Sequence, residues 1–310
     1  MSDVPSTPDP LYMLAFDHRD FFQRELVGTA GPLDTGQTAA IADAKNVIFD
    51  GLLEAGAALP HDQIGLLVDG RFGGALVARA REHGLLVAMP AERSGRAIFE
   101  FADGDAFGEE IARADPDMTK VLVRYNVDGD AAGNRVQAER LRRLCDWLRS
   151  RGRPLLFELI VEPTADQLRA HAGVVEAFEA DLRPELIRRA VAELQRAGVE
   201  PAIWKVEGIA DRDDAAALVQ AVQSGGRDDV RCIVLGSGAP AEQVETWLRT
   251  AARTDGYAGF AIGRSIWWPP LRALRDGEID RPEAVTRIAR AYLRFVDAFA
   301  SARAESGSRA

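Results

Sequence analysis

Lysine is rare in this chain, and the positions of the few lysines indicate chemistry. Of 38 basic residues among 310, only three are lysines, namely Lys45, Lys120 and Lys205. Arginine keeps its proton near neutral pH and forms no imine, whereas a desolvated lysine can lose its proton and attack a carbonyl carbon. Lys120 and Lys205 lie in short apolar runs that indicate strands. Lys45 lies beside Asp43 in a helical stretch, and we interpret it as part of a solvated helix face.

Alternation within the apolar runs places several ionisable residues on one face. Lys205 shares a face with Glu207, and Lys120 shares a face with Arg124 in an earlier run. An ionisable residue in a strand covered on both faces is costly unless it faces the open end of a barrel. Neighbouring strands would therefore gather one cluster at a barrel mouth: Asp17, Lys120, Arg124, Glu158, Lys205 and Glu207.

Such a cluster contains the groups that an imine-forming aldolase needs. Lys205 is interpreted as the nucleophile, because nearby cations such as Lys120 and Arg124 favour an uncharged amine. Glu158 on the preceding strand is placed to move protons while a carbinolamine dehydrates and the carbon–carbon bond breaks. Asp17 can accept the proton of the hydroxyl group that becomes a carbonyl, and Lys120 can hold oxygens of the substrate.

The same residues admit a purely structural interpretation. Inward charges can form a salt-bridged plug, in which Lys205 pairs with Glu158 and Arg124 pairs with Glu207 without any chemistry. Two strand lysines in a chain with so few lysines favour the active-site interpretation over the plug.

A repeated couplet must position these residues. A short apolar run followed by an amphipathic helical stretch recurs about eight times without a linker, which predicts a single-domain TIM (β/α)8 barrel. We expect the domain to span residues 11–300, between a flexible N-terminus (1–10) and a flexible tail (301–310). An open dinucleotide-binding sheet is the competing fold, but Asp17-His18-Arg19-Asp20 follows the first run where that fold needs a glycine-rich turn.

The predicted elements have these bounds. The strands are expected at Leu11–Asp17, Ile64–Asp69, Leu85–Pro90, Lys120–Asn126, Pro154–Val161, Ile203–Glu207, Cys232–Ser237 and Tyr257–Arg264. The helices are expected at Ala39–Ala57, Phe72–Glu82, Ala106–Ala114, Val136–Arg151, Pro184–Ala197, Asp213–Gln223, Ala241–Ala252 and Arg281–Phe299.

Glycine-rich segments follow the last two predicted strands. Gly236-Ser237-Gly238 follows the seventh, and Gly263-Arg264-Ser265 ends the eighth. Barrel enzymes commonly hold a phosphate group there, on loop and helix-start amides. Ser237 could instead belong to half of a nucleophile elbow, but its position in the barrel favours a phosphate cradle.

Composition excludes several classes of function. A net charge of −10 without a basic stripe argues against nucleic acid or an anionic membrane surface as partner. No apolar run approaches the ~20 residues of a membrane span. Cys145 and Cys232 are far apart in the sequence and follow no secretory segment, which favours the cytoplasm. A homo-oligomer is compatible with this composition, and a phosphorylated small molecule is the expected partner.

Metal chemistry is not favoured by the same inventory. A zinc site needs several histidines near strand ends, and only His18 of the four histidines has such a place. Magnesium remains open through Asp17, Asp69 and Glu162, although these residues belong to three different strands and need not converge. We expect no metal and no other cofactor.

Six segments of the chain together resemble the DUF2090 family. They are LYMLAFDHR (11–19), KVLVRYN (120–126), FEL (157–159), WKVEG (204–208), VLGSG (234–238) and FAIGRSIW (260–267), within a likeness that spans about residues 11–299. That family corresponds to the aldolase-like domain fused behind 5-dehydro-2-deoxygluconokinase in some inositol-degrading bacteria. The resemblance implies a role in inositol catabolism as a 2-deoxy-5-keto-gluconate 6-phosphate aldolase.

A more distant similarity is to the class I tagatose 1,6-bisphosphate and sulfofructose-phosphate aldolases. It implies that Lys205 forms the Schiff base, that Glu158 is the acid and base, and that Lys120 is their strand-four lysine. Asp17-His18-Arg19 matches an Asp-Gln-Arg stretch of those enzymes, from which His18 departs. The residues that match their phosphate-binding loops are Gly236, Ser237, Gly263 and Arg264.

These observations converge on a class I aldolase. It would cleave a phosphorylated keto-sugar or keto-sugar acid, 2-deoxy-5-keto-gluconate 6-phosphate among them, to dihydroxyacetone phosphate and an aldehyde. The remaining expected substrate contacts are Arg19, Arg124, Glu207 and Gly238. Two alternatives stay open: a phosphosugar isomerase or epimerase that uses the carboxylates alone, and a barrel that binds a sugar phosphate without turning it over.

Overall fold

Eight parallel strands close into a barrel in sequence order in the computed structural model, which describes residues 9–307. The strands are β1 (Leu11–Ala15), β2 (Ile64–Leu67), β3 (Leu86–Pro90), β4 (Met118–Arg124), β5 (Leu155–Ile160), β6 (Ile203–Glu207), β7 (Arg231–Leu235) and β8 (Tyr257–Ile262). Each strand pairs with the next one along the chain, and β8 pairs with β1. The predicted single-domain TIM barrel is therefore confirmed.

Helices cover the outside of this barrel. They are α1 (Arg19–Phe21), α2 (Thr35–Gly56), α3 (Gly70–Glu82), α4 (Phe107–Ala114), α5 (Ala131–Arg149), α6 (Ala165–Ala170), α7 (Val175–Asp181), α8 (Arg183–Arg196), α9 (Arg212–Gln223), α10 (Ala241–Ala252), α11 (Arg264–Arg275) and α12 (Arg281–Gly307). A π-helical turn covers Phe22–Leu26, and 3-10 turns cover His61–Gln63 and Gly104–Ala106. Aspartate side chains accept backbone N–H bonds at the starts of five helices in the described part of the chain, at Asp34, Asp69, Asp130, Asp211 and Asp280.

The apolar core has two parts, one on each side of the sheet. A large cluster fills the space between the strands and the helices, and a smaller one lies inside the barrel. Inside, Met13, Met118, Leu156 and Ile233 pack together away from water. This apolar cluster fills the amino-terminal part of the barrel interior. The ionisable side chains of the interior therefore lie at the carboxyl ends of the strands.

Strand register decides which residues meet at that end. Glu158 on β5 pairs with Leu122 on β4 and with Lys205 on β6. Paired residues of parallel strands point to the same face, so Glu158 and Lys205 both face the barrel interior. The predicted alternation of these strands is thus the observed one.

Several helices differ from the sequence prediction. The structure contains α6 and α7 between β5 and α8, and α11 directly after β8, where no helix was expected. Both prolines of α11, Pro269 and Pro270, lie inside the helix, which explains why sequence rules did not favour it. Helix α12 continues to Gly307, past residue 300, where the sequence predicted the domain to end. Residues 1–8 and 308–310 of the two predicted flexible ends lie outside the described residues.

Candidate active site

A cavity of about 750 Å³ opens at the carboxyl ends of the strands. All of the predicted site residues line it: Asp17, Arg19, Lys120, Arg124, Glu158, Lys205, Glu207, Gly236, Ser237, Gly238, Gly263 and Arg264. Residues from all parts of the chain therefore meet at one end of the barrel, which is where barrel enzymes carry their active sites.

Lys120 is the centre of a buried charge cluster on the floor of this cavity. Its Nζ lies 2.9 Å from Asp17 Oδ2, 2.9 Å from Glu92 Oε1 and 2.9 Å from Glu158 Oε2. Burial alone would lower the pKa of Lys120, but the three carboxylates outweigh burial and raise it well above its usual value. Because an ammonium group has three N–H donors, these contacts occupy Lys120 fully and keep it charged.

Lys205 has a different environment on β6. Its Nζ lies 2.8 Å from Glu158 Oε1, which is the one carboxylate within ion-pair distance among the described residues. The side chain is 4% exposed and lines the cavity. Lys205 is thus a buried amine with one acidic partner and open space beside it, as an imine-forming lysine requires.

The carboxylates around the two lysines titrate in opposite directions. Burial raises the pKa of Glu158, but Lys120 and Lys205 outweigh burial and hold this pKa below its usual value. The same balance, with Lys120 as the largest opposing charge, places the pKa of Asp17 far below its usual value. In Glu92 burial prevails over Lys120, and the pKa is raised. The cluster therefore combines two carboxylates that favour ionisation with one that favours protonation.

Glu92 is a cavity residue that the sequence interpretation missed. It follows β3 and forms an isolated bridge with Phe101, and Arg19 Nη2 donates to its carbonyl oxygen at 3.0 Å. A signal was present, because Glu92 comes two residues after Pro90, which pairs with Lys120, and so shares the inward face. The apolar run ends before it, which is why alternation was not extended that far.

Glu207 pairs with a helix residue and not with Arg124 as the structural interpretation expected. Arg183 at the start of α8 places Nη1 3.3 Å from Glu207 Oε1, and the Val161 N–H donates to Glu207 Oε2 at 2.9 Å. Burial outweighs Arg183 and raises the pKa of Glu207. Arg124 instead places Nε 2.8 Å from Glu162 Oε1 at the open rim of the cavity. Both of these side chains are exposed to water.

The interpretation of Lys45 as a solvated residue is wrong. Its side chain is fully buried between α2 and the ends of β1 and β2, outside the sheet. Nζ donates to the Phe16 carbonyl oxygen at 2.5 Å and forms an ion pair with Asp69. Burial outweighs Asp69 and lowers the pKa of Lys45, whose Nζ lies 4.8 Å from the centre of the Phe22 ring. Helical spacing from Ile41 puts Lys45 on the buried face of α2.

The glycine-rich loops form the wall of the cavity at β7 and β8. Ser237 and Gly238 have φ values of 50° and 77°, so the loop turns sharply after β7. Arg264, the first residue of α11, donates from Nη2 to the Ser237 carbonyl oxygen at 2.9 Å. A side chain at Gly263 would come within 2.1 Å of the Ala15 carbonyl oxygen, so the start of α11 can approach β1 only with glycine there. A helix start with a nearby arginine is a favourable place for a phosphate group.

Comparison with known proteins gives a family and a fold. A family model described as an uncharacterized protein conserved in bacteria (DUF2090) matches residues 2–303. The chain belongs to this family. No curated protein matches it. Among solved structures it is similar to fructose-bisphosphate aldolase from Plasmodium falciparum, determined with TRAP and a small-molecule inhibitor, with a TM-score of 0.64 and 11% identity over 94% of this chain and 91% of that chain. At this identity the likeness shows a shared barrel fold.

The possible metal ligands of this DUF2090 chain were compared with the requirements of a metal site. Within residues 9–307, no three His, Cys, Asp or Glu side chains are grouped so that they could hold an ion. Of the residues considered for magnesium, Asp69 pairs with Lys45 outside the barrel, Glu162 pairs with Arg124 at the rim, and Asp17 pairs with Lys120 inside the barrel. His18 packs against Trp267, and burial lowers its pKa to about 4, so that it is neutral at pH 7. None of the helices in the described part of the chain is long and apolar enough to cross a membrane.

Proposed function

We propose that this DUF2090 protein is a class I aldolase that cleaves a phosphorylated keto-sugar or keto-sugar acid through an imine on Lys205. The observation that carries the proposal is the contrast between the two barrel lysines. Lys120 is charged and saturated by three carboxylates, whereas Lys205 has one carboxylate partner and faces a cavity. An amine that must become neutral and attack a ketone needs the second environment.

Glu158 supports the first half of the reaction. Its contact of 2.8 Å with Lys205 gives the ammonium proton a direct path to a carboxylate, which frees the nitrogen electron pair to attack the ketone carbon. The protonated Glu158 then returns its proton to the carbinolamine hydroxyl, which leaves as water and gives the iminium ion. Lys120, held on the other oxygen of Glu158, keeps this carboxyl group in place.

Asp17 supports the second half. As the carbon–carbon bond breaks, its electron pair moves into the iminium ion to give an enamine, and the hydroxyl group on the leaving half loses its proton to a carboxylate. The low pKa of Asp17 keeps it ionised as an acceptor, and Lys120 adjoins it at 2.9 Å. The proton that Asp17 accepted then goes to the enamine carbon, and water adds to the iminium ion so formed, which releases dihydroxyacetone phosphate and restores the Lys205 amine.

The loops after β7 and β8 support a phosphorylated substrate. Gly236, Ser237 and Gly238 with the start of α11 and Arg264 offer amides and a positive charge on one wall of the cavity. Arg19 and Arg124 add charge elsewhere around the cavity. The family resemblance favours 2-deoxy-5-keto-gluconate 6-phosphate among such substrates, and the fructose-bisphosphate aldolase that shares the fold acts on a phosphorylated ketose as its name states.

Trapping with borohydride tests the proposal. The protein is incubated with dihydroxyacetone phosphate and sodium borohydride, and intact mass and peptide masses are measured. We expect one reduced adduct on Lys205, its loss in Lys205→Arg, and a fall of roughly 10³-fold or more in cleavage rate in that variant, because arginine forms no imine. Lys45→Arg is the matched control, since Lys45 lies outside the barrel and its loss should leave the adduct in place.

Two other outcomes would favour the alternatives. If no adduct forms and Lys205→Arg still converts phosphosugars, the carboxylates alone carry the chemistry, as in an isomerase or epimerase. If phosphoketoses raise the melting temperature of the protein without any turnover, it is a sugar-phosphate-binding barrel.

A further inference from the structure

The imidazole ring of His18 has one nitrogen without a partner. Nδ1 is shielded from water and has no hydrogen-bond partner among the described residues. It lies 3.8 Å from Asp17 Oδ1, which is too far for a hydrogen bond. A buried nitrogen without a partner costs free energy. Because the ring lines the cavity, a ligand group beside Nδ1 would remove this cost.

The surroundings of this ring hold it in place and keep it neutral. It packs edge-on against Trp267 and Phe21, with 5.6 Å and 6.3 Å between ring centres. Trp267 is itself fixed, because its Nε1 donates to the Ala15 carbonyl oxygen at 2.9 Å. Burial outweighs the nearby Asp17 and lowers the pKa of His18 to about 4, so the ring is uncharged at pH 7. A carboxylate opposite Nδ1 favours the neutral form that carries its hydrogen on that nitrogen.

Asp17 presents an acceptor beside this donor. Lys120 occupies its Oδ2 at 2.9 Å, which leaves Oδ1, the oxygen nearer His18, for a proton from the substrate. The cavity therefore has a hydrogen-bond donor and an acceptor 3.8 Å apart. A hydroxyl group can use both of them at once, since its oxygen accepts one hydrogen bond while its own hydrogen is donated.

We propose that His18 is a catalytic residue, whose Nδ1–H binds the oxygen of the substrate hydroxyl group that gives its proton to Asp17. The inference rests on the proposed function, which assigns this proton transfer to Asp17. As the carbon–carbon bond breaks, its electron pair moves into the iminium ion, the hydroxyl proton goes to Asp17 Oδ1, and the oxygen becomes the aldehyde carbonyl. His18 keeps its proton and donates to that oxygen while negative charge develops on it. A donor fixed in advance lowers the energy of such a transition state.

Two reactions of the same site separate this role from imine chemistry. Cleavage of 2-deoxy-5-keto-gluconate 6-phosphate needs the hydroxyl oxygen at Nδ1. Exchange of a hydroxymethyl hydrogen of dihydroxyacetone phosphate with D2O, followed by proton NMR, needs the imine on Lys205 and Asp17 but involves no aldehyde oxygen. We expect His18→Phe to lower kcat for cleavage about 100-fold and to change KM and the exchange rate less than about threefold, because the ring remains and only the N–H is lost.

Two further variants act as controls. In His18→Asn the amide nitrogen takes the place of Nδ1, so we expect cleavage to stay within about tenfold of the unmodified rate. His171→Phe removes a ring that packs against Phe178 and does not line the cavity, so it should change neither reaction.

The inference is overturned by any of four results. They are full cleavage activity in His18→Phe, a raised KM with unchanged kcat, an exchange rate that falls as far as cleavage, and an equal loss in His18→Asn. Failure of the proposed function is a different result, in which the unmodified protein cleaves no phosphoketose and gives neither exchange nor a borohydride adduct on Lys205. Circular dichroism verifies that each variant is folded.

Discussion

Lys45 and Lys120 are both fully buried and both paired with aspartate, yet they lie on opposite sides of the same sheet. Lys45 reaches from α2 to the outer side of β1 and β2, where it holds Asp69 and the Phe16 carbonyl oxygen. Lys120 projects into the barrel, where three carboxylates surround it. The pKa of Lys45 is lowered, because burial exceeds the effect of one carboxylate, and the pKa of Lys120 is raised, because three carboxylates exceed burial.

The contrast shows that burial and ion pairing alone do not define a functional lysine. Lys45 has both but does not line the cavity at the carboxyl ends of the strands, and its pairing joins α2 and the start of α3 to the ends of two strands. Lys205 is the third case, with a single carboxylate and a cavity beside it. What separates Lys205, the amine that we propose to be reactive, from the other two is the number of its partners together with access to space for a substrate.

The largest expected effect belongs to Lys120→Met. Three buried carboxylates would lose their shared cation, so we expect the free energy of unfolding to fall by about 4–5 kcal/mol and cleavage to be lost. Lys120 helps to keep the pKa values of Asp17 and Glu158 low, which contributes stability above about pH 4 that disappears as the pH falls. Without Lys120 these pKa values rise, and stability should fall as the pH rises.

Urea denaturation at pH 5 and pH 8 measures this reversal. Lys120→Met should be less destabilised at pH 5 than at pH 8, because protonation removes the repulsion between the carboxylates. An equal loss at both pH values would mean that the carboxylates do not depend on Lys120, and the comparison with Lys45 would lose its basis.

A smaller loss is expected for Lys45→Met. Asp69 keeps its bond from the Phe72 N–H at 2.9 Å but loses its cation, so we expect the free energy of unfolding to fall by about 3 kcal/mol. Adding Asp69→Asn should recover part of this loss, since a neutral amide needs no counterion. The borohydride adduct on Lys205 should persist in Lys45→Met and in the double variant. An undiminished stability combined with a lost adduct would show that Lys45 takes part in the reaction.

The barrel and the inward lysines were accessible from the sequence because both follow from local periodicity. Alternation in β4, β5 and β6 is strict, and parallel register carries it across strands, so Lys120, Glu158 and Lys205 had to meet. Lys45 was misassigned because the nearby Asp43 received more weight than the helical spacing from Ile41, which places Lys45 on the buried face.

The parts that could not be predicted depend on contacts between distant segments. Glu207 forms an ion pair with Arg183 from α8. Nothing in the alternation of β6 indicates which helix residue contacts Glu207. Arg124 has the spacing of an inward residue but bonds Glu162 at the rim, because a long side chain at the end of a strand can turn toward water. Glu92 lies two residues after Pro90, the last residue of β3. The direction of its side chain there depends on the backbone bridge to Phe101.

The smallest expected effect on stability belongs to Arg264, in the wall of the cavity that we propose to hold the phosphate group. Arg264 is partly exposed and bonds the Ser237 carbonyl oxygen, so Arg264→Met should change the free energy of unfolding by less than about 0.5 kcal/mol. Loss of one charged contact to phosphate should raise KM about tenfold while kcat changes much less. Added salt should weaken phosphate binding more in the unmodified protein than in the variant.

Arg231→Met removes one positive charge from the opposite end of β7 and is the matched control. If both variants raise KM equally, net charge and not the loop after β7 holds the phosphate group, and the orientation assigned to the substrate has to be reversed or abandoned.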